Sequence, residues 1–262
     1  MEYMETLCSL LFELAHEDRV VILKELSEKK MKLTQLSNRL GLTVQEVHRQ
    51  LARLAEERLI MKNSEGFYCT TSYGELVLKL VPGYEFASKN RDYFISHVLT
   101  DLPPTFVSSL GELVDCRFTN SVVTTLNNIE AMIKDAEEYI WLMTDRRFIG
   151  NYQHLKEAVE RGVSILTIEQ KDWIPPSEYR ERINEEVSRF LNNAKSSGAL
   201  QSRVLERVNL FLYMSDKEIG GLAFPTHDGR LDYMGFIAGD EKSHKWCEGV
   251  FRHYWGMAKP DV

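Results

Sequence analysis

Residues 32–56 read KLTQLSNRLGLTVQEVHRQLARLAE and contain two short helix patterns with a glycine between them. Thr34 is the expected N-cap of the first helix, and Gly41 is suited to end that helix in a left-handed turn. Thr43 and Glu46 then form the sequence pattern of a capping box, which predicts the start of a second helix. Two short helices joined at a glycine-containing turn predict a helix-turn-helix motif.

The segments on either side of this motif predict a winged helix. Two helix patterns precede it, one over about residues 5–15 and one after His16. In the first of them, four leucines share one face and are expected to lie in the core: Leu7, Leu10, Leu11 and Leu14. Downstream, the apolar segments 59–62 and 67–70 flank residues 63–66, which have turn chemistry, so a β-hairpin is expected there.

The second helix of the motif has an apolar stripe and a polar side. The stripe, which is expected to face the core, consists of Val44, Val47, Leu51 and Leu54. The residues predicted to contact DNA are Thr43, Gln45, His48, Arg49, Arg53 and, on the wing, Lys62. Glutamine can pair with adenine and arginine with guanine, whereas Thr43, Arg53 and Lys62 suit phosphate contacts. The alternative is a solvated polar face, since winged helices also serve as protein-interaction modules, and Lys62 would then be an ordinary hairpin charge.

Composition excludes several classes of protein. The chain has 262 residues, of which 44% are hydrophobic and 27% charged, a globular composition. No apolar run approaches the roughly 20 residues of a membrane span, and the N-terminus lacks a signal pattern, so a soluble cytoplasmic protein without a membrane partner is expected. The four cysteines are scattered and no glycine-rich phosphate loop is present, so neither a metal site nor a cofactor is predicted.

The net charge of −7 is unevenly distributed along the chain. Residues 1–74 carry a net charge of −1, and the rest of the chain carries −6. The acidity therefore belongs mostly to the C-terminal part, and it does not exclude nucleic acid as a partner of the N-terminal part.

Beyond the wing, the sequence changes to alternating strands and helices. A helix opening at Thr71–Ser72 is expected to be interrupted at Pro82–Gly83. The strand 139–143, the helix 153–161 and the strand 163–168 form the pattern of a βαβ unit with a parallel strand pair. These features predict a two-domain protein of α+β and α/β class. It has a winged helix-turn-helix domain at 1–74, a helical linker or dimerisation segment at 75–104, and an α/β regulatory domain at 105–262.

Two segments of the α/β domain were weighed as chemical sites. Thr144-Asp145-Arg146-Arg147 follows a strand directly, and ligands of open α/β sheets bind beyond the carboxyl ends of strands. The paired arginines suit an anionic metabolite, and the alternative is that Thr144 or Asp145 merely caps the next helix.

The second segment concerns catalysis. A winged helix followed by a βαβ-type domain resembles phospholipase D-like folds, whose catalytic motif is His-x-Lys-x4-Asp. His154 and Lys156 match its first two members, but Arg161 stands in the position of the acid and the segment occurs once. No catalytic residues and no enzymatic activity are therefore expected.

Three further stretches, together with the helix-turn-helix, resemble archaeal winged-helix transcription regulators of the methanogenesis-regulator family. They are His97-x3-Asp101-Leu-Pro-x2-Phe106-x3-Leu110-Gly-Glu-Leu113, Gly221-Leu-Ala-Phe-Pro225-x2-Asp228-Gly-x2-Asp232-x2-Gly235-Phe236, and Trp246-Cys247-x3-Phe251-x2-Tyr254-Trp255. The resemblance implies an N-terminal DNA-binding domain, usually dimeric, and a C-terminal domain similar to those of sugar-sensing archaeal regulators. It also implies an archaeal source.

The sequence therefore favours a sequence-specific DNA-binding transcriptional regulator. As a homodimer, it would recognise a pseudo-palindromic operator in double-stranded DNA, and its C-terminal domain would sense a small-molecule effector or a partner. The alternative is a winged-helix adaptor that binds a protein and not DNA, and a third hypothesis is an enzyme built on the α/β domain.

Overall fold

The computed structural model describes residues 2–99, 102–146, 151–171 and 185–261. The chain divides into two units, Met1–Tyr84 and Glu85–Val262. The division falls inside the segment 75–104, where the linker is expected. Within the described ranges, no helix combines the length and the apolar character that crossing a membrane requires.

The N-terminal unit is a winged helix-turn-helix, as the sequence predicts. Its elements are α1 (Glu2–Leu14), α2 (Glu17–Glu28), α3 (Leu33–Leu40), α4 (Val44–Glu56), β1 (Ile60–Lys62) and β2 (Tyr68–Thr70), followed by α5 (Ser72–Lys89). The strands β1 and β2 pair antiparallel. Met31 adds a bridge to Tyr68, with main-chain N···O distances of 3.1 and 2.8 Å, so the segment between α2 and α3 is tied to the wing.

Periodic apolar residues of α2, α3 and α4 form the core of this unit. Ile22, Leu36, Val47, Leu51 and Leu54 are all buried, each at the helical spacing that places apolar side chains on one face.

Three predicted core positions are wrong. Val44 is exposed, because it is the first residue of α4 and precedes the part of the helix that packs. On α1, Leu7 and Leu11 are also exposed, whereas Leu10 and Leu14 pack against the core. Only part of the leucine stripe on α1 therefore packs against the core of its own unit.

Two local predictions are also corrected. Thr34 does not cap α3, which begins one residue earlier; its N-cap is Lys32, whose main-chain N–H donates to Gln35 Oε1 at 2.8 Å. Helix α5 continues through Pro82. Pro82 removes only one main-chain donor from the helix. On either side of it, Val77 is buried in the core of the N-terminal unit and Phe86 in the core of the C-terminal unit.

The C-terminal unit is a mixed α/β domain. Its helices are α6 (Arg91–Ser96), α7 (Pro104–Ser108), α8 (Val122–Asp135), α9 (Tyr152–Glu160), α10 (Glu185–Ser196) and α11 (Glu241–Met257), with a 3-10 turn at Leu110–Leu113. Its strands are β3 (Arg117–Thr119), β4 (Tyr139–Thr144), β5 (Ser164–Gln170), β6 (Leu200–Leu205), β7 (Phe211–Ser215), β8 (Ile219–Ala223), β9 (Gly235–Ala238) and β10 (Lys259–Pro260). The sequence also predicts a polar amphipathic helix over residues 177–193, and the part of it that precedes Glu185 lies outside the described residues.

In the described part of the chain, these strands form one sheet in the order β10-β6-β5-β4-β7-β8-β9-β3. Strands β4 and β5 are parallel, which confirms the predicted βαβ unit, and β5 and β6 are parallel as well. The remaining neighbours are antiparallel.

Helices cover both faces of this sheet. Trp141 on β4 stacks on Phe251 of α11 with ring centroids 4.9 Å apart. The next residue, Leu142, faces the other side, where it lines a cavity with Leu155 of α9 and Leu191 of α10. The alternation of side chains along a strand therefore places α11 on one face and α9 and α10 on the other.

Candidate nucleic-acid interface

The turn between α3 and α4 is fixed by main-chain and side-chain hydrogen bonds. Gly41 ends α3 with φ +66°, the left-handed conformation that glycine adopts without strain. The Ser37 hydroxyl donates to the Leu42 carbonyl at 2.6 Å, and the Leu42 N–H donates to the Ser37 carbonyl at 3.2 Å. These bonds set the direction in which α4 leaves the turn.

Helix α4 begins with the predicted capping box. The Glu46 N–H donates to Thr43 Oγ1 at 3.2 Å, and Glu46 Oε2 accepts from the Thr43 N–H at 2.9 Å. Hydrogen bonds from the Thr43 side chain and main chain hold the pKa of Glu46 below its usual value. The Glu46 carboxylate is therefore engaged at the helix terminus, so the acid on this face has a structural role.

Three polar side chains share the exposed side of α4. Gln45, His48 and Arg49 are all exposed and lie three and four residues apart, the spacing of one helix face. An amide, an imidazole and a guanidinium together offer donors and acceptors suited to base edges in a major groove. The structure thus brings the predicted base-reading residues together beside the cap.

Arg53, one turn further along α4, is held by acidic residues of its own unit. It forms an ion pair with Glu13 of α1, and a second with Glu56 at 3.4 Å. Its guanidinium also lies 5.9 Å from the centre of the Phe12 ring. The Arg53 side chain remains 44% exposed, and its contact with phosphate stays a prediction.

The wing carries more positive charge than sequence reasoning assigned to it. The Lys62 ammonium lies 5.3 Å from the centre of the Tyr68 ring. The ammonium groups of Lys30 and Lys32 lie 5.3 and 4.8 Å from the centre of the Phe67 ring. Sequence reasoning missed these two lysines because their position beside the wing depends on the bridge between Met31 and Tyr68. The pattern that could have revealed them is the alternation Lys30-Met31-Lys32, which is typical of an extended segment with both lysines on one side.

The predicted ligand residues after β4 bind one another and a neighbouring tyrosine. Thr144 Oγ1 donates to the Arg146 carbonyl at 2.8 Å. The Tyr233 hydroxyl donates to Asp145 Oδ1 at 2.8 Å, and the Arg146 guanidinium lies 5.3 Å from the centre of the Tyr233 ring. Arg147, the second arginine of the predicted pair, lies outside the described residues.

The fragment that resembles a phospholipase D motif lies on α9. His154 pairs with Glu130 at 3.2 Å, and Lys156 pairs with Glu186 at 2.9 Å. Side chains two residues apart on a helix point about 200° apart, so His154 and Lys156 do not converge on one site. In the part of the chain that the structure describes, no group of three or more His, Cys, Asp or Glu side chains is placed to hold a metal ion.

The residues that carry the family resemblance contact one another in the C-terminal unit. His97 Nε2 lies 3.2 Å from Asp232 Oδ2, and the His97 ring stacks on Tyr93 at 3.7 Å. Trp246 Nε1 donates to the Phe106 carbonyl at 3.2 Å. These residues therefore join segments of the core, and Tyr93 shows that part of the expected linker is packed into this unit.

Residues 16–62 match the family model described as "Bacterial regulatory protein, arsR family". The matched range runs from the residue before α2 to the end of β1, so it covers the helix-turn-helix and the first strand of the wing. The N-terminal unit thus has the winged helix-turn-helix of a DNA-binding transcription regulator.

The chain is also similar to several solved structures at low identity. The archaeal chromatin protein TrmBL2 is 15% identical, with 93% of this chain and 92% of that chain covered and a TM-score of 0.44. Reduced HlyU from Vibrio cholerae N16961 is 25% identical over 30% of this chain and 88% of that chain, with a TM-score of 0.29. The phospholipase D family member Nuc from Salmonella typhimurium is 13% identical over 50% and 87% of the two chains, with a TM-score of 0.37. No curated protein matches the chain.

Proposed function

We propose that this protein is a sequence-specific transcriptional regulator whose helix α4 enters the major groove of operator DNA. The observation that carries the proposal is the exposed set Gln45, His48 and Arg49 on the face of a helix that a capping box and a wing hold in place. In this arrangement Arg49 reads a guanine and Gln45 an adenine. Thr43, Lys62 and the exposed edge of Arg53 contact phosphates.

The charge distribution supports base contacts as the main source of affinity. Residues 1–74 have a net charge of −1, so the unit as a whole is not attracted strongly to any DNA. The lysines beside the wing concentrate positive charge at one end of the unit, whereas the C-terminal part carries −6 and repels phosphate. Modest non-specific affinity and a marked preference for the operator are the expected result.

The proposal includes a homodimer. On α5, Leu76 and Leu80 lie one turn apart and are 57% and 60% exposed, and Leu7 and Leu11 form a similar exposed pair on α1. Apolar helix faces left exposed in a single chain are typical of interaction surfaces. Two copies joined through these faces would present two α4 helices to a pseudo-palindromic operator, with half-sites about one helical turn apart or a multiple of it.

The finer parts of the proposal concern the class and the regulation. The protein is proposed to be an archaeal regulator of the methanogenesis-regulator type, acting in the cytoplasm where its DNA lies, with a small-molecule effector bound by the C-terminal domain. That domain is proposed to have no catalytic activity, which the divergent positions of His154 and Lys156 on α9 support.

Selection of bound fragments from sheared genomic DNA of the source organism tests the proposal. Enrichment of a few fragments that share a pseudo-palindrome is expected. No enrichment, together with a stoichiometric protein that co-purifies with the chain, would contradict the proposal and favour a winged-helix adaptor.

A further inference from the structure

The C-terminal unit contains a cavity of about 430 Å³ between the sheet and helices α9 and α10. Strands β4, β5, β6 and β7 form its floor. An apolar cavity of about 150 Å³ in a protein core binds benzene. The space is therefore suited to a molecule roughly three times that size, within the usual range of small-molecule sites.

The floor of this cavity carries hydroxyl groups where a covered sheet would normally be apolar. The register of the sheet places Ser202, Thr167, Leu142 and Tyr213 side by side on β6, β5, β4 and β7. Thr167 Oγ1 donates to Ser202 Oγ at 3.0 Å. Tyr213 is hydrogen-bonded as well, to Thr144. The floor therefore offers hydroxyl oxygens to a ligand beside its apolar residues.

The polar row continues toward the carboxyl ends of the parallel strands. Thr144 and Glu169 are paired in register on β4 and β5, and both line the cavity. Burial, and then the nearby Glu169 carboxylate, raise the pKa of Tyr213 well above its usual value, so its hydroxyl stays protonated. Carboxyl ends of strands are where open α/β sheets bind ligands.

The rest of the lining is apolar or already balanced in charge. Leu155 of α9 and Phe190 and Leu191 of α10 form an apolar wall. Lys195, the one cation among the described lining residues, is paired with Asp261 at 2.8 Å. Because the one cation of the described lining is already paired, this part of the cavity favours an uncharged ligand over an anion.

We propose that this cavity binds an uncharged amphiphilic small molecule. Its apolar body lies against α9 and α10, and its polar groups meet the hydroxyls of the floor. This site shares Thr144 with the segment in which the sequence predicts an anionic site. The inference deepens the effector-binding part of the proposed function. Binding in the cavity can be tested without DNA, and only an effect of the ligand on DNA affinity depends on the proposed function.

The neutral naphthyl ketone prodan is a suitable probe, because it has an apolar ring system, a single carbonyl acceptor and an emission that shifts to the blue in apolar surroundings. Titration of the full-length protein should give a saturable blue shift with one site per chain. Ser202→Phe, which fills the floor, should weaken binding at least tenfold.

A matched variant serves as the control. Gln201→Phe places the same side chain on the opposite face of β6, outside the lining. It should bind prodan as the wild type does, and thermal unfolding of each variant identifies any that fails to fold. The absence of saturable binding, or unchanged binding in folded Ser202→Phe, overturns the proposal. The readout does not involve DNA, so it is independent of the operator-binding experiment.

Discussion

Arg53 of the recognition helix α4 donates to Glu13 of α1, although the two residues are 40 positions apart. Glu13 is buried and also accepts from Arg19 of α2, which is buried as well. One carboxylate thus joins three helices, including α1, whose outer face we propose to lie at the dimer interface, and α4, which we propose to lie in the groove.

Glu13→Gln should destabilise the N-terminal unit strongly. Removal of one partner of a buried ion pair typically costs about 3–5 kcal/mol, because the remaining charge stays buried without compensation. The free energy of unfolding in urea measures the change, with the exposed Glu5→Gln as the control on the same helix. Equal stability of the two variants would show that the pair between Glu13 and Arg19 contributes little.

The charge on Glu46 should make the start of α4 dependent on pH. Its pKa is lowered in the folded protein by hydrogen bonds from Thr43, so its contribution is present above the unfolded value of about 4.3 and is lost as the pH falls through the folded value. The stability difference between the wild type and Glu46→Gln should therefore shrink between pH 7 and pH 3, as measured by urea unfolding. Glu65→Gln on the wing, outside the cap, is the control, and a constant difference for Glu46→Gln would exclude a role for its charge.

Leu80→Glu should convert a dimer into a monomer. A carboxylate in the middle of a packed apolar interface must be desolvated without a partner, which opposes association. Sedimentation velocity measures the oligomeric state, and Val123→Glu makes a comparable change at an exposed apolar position of the other unit. If Leu80→Glu and the wild type sediment alike, α5 is not the dimer contact.

Lys62→Ala should weaken binding to all DNA sequences by a similar factor. A phosphate contact carries no sequence information, and its loss should reduce the slope of log affinity against log salt by about 1. Fluorescence anisotropy with operator and scrambled duplexes measures both quantities, and Lys242→Ala, at an exposed lysine of the C-terminal unit, is the control. A loss confined to the operator would instead make Lys62 a base-reading residue.

Local signals allowed the sequence to predict the helix-turn-helix. Gly41, Thr43 and Glu46 act on residues within a few positions of themselves, so their caps and turn could be predicted without tertiary information. The parallel pair of β4 and β5 was equally predictable, since a strand, a helix and a strand in succession leave few arrangements.

Features that depend on distant contacts could not be predicted in this way. The ion pair between Glu13 and Arg53 and the position of Lys30 beside the wing both require the packed fold. The polar floor of the cavity depends on register: Thr167 and Ser202 meet only because β5 and β6 are neighbours. Sequence reasoning therefore placed a ligand site on the loop after β4, whereas among the described residues 144–146 it is Thr144 that lines the cavity.

The binding of wild type and Arg49→Ala to the selected operator and to single-base variants of it tests the central claim most directly. The wild type should prefer the operator, with affinity that falls as salt increases, and Arg49→Ala should lose about 1–3 kcal/mol of discrimination at one base pair while its preference elsewhere is kept. Equal affinity of the wild type for operator and scrambled duplexes, or an unchanged preference profile in Arg49→Ala, would contradict the assignment of the exposed α4 face as the surface that reads DNA.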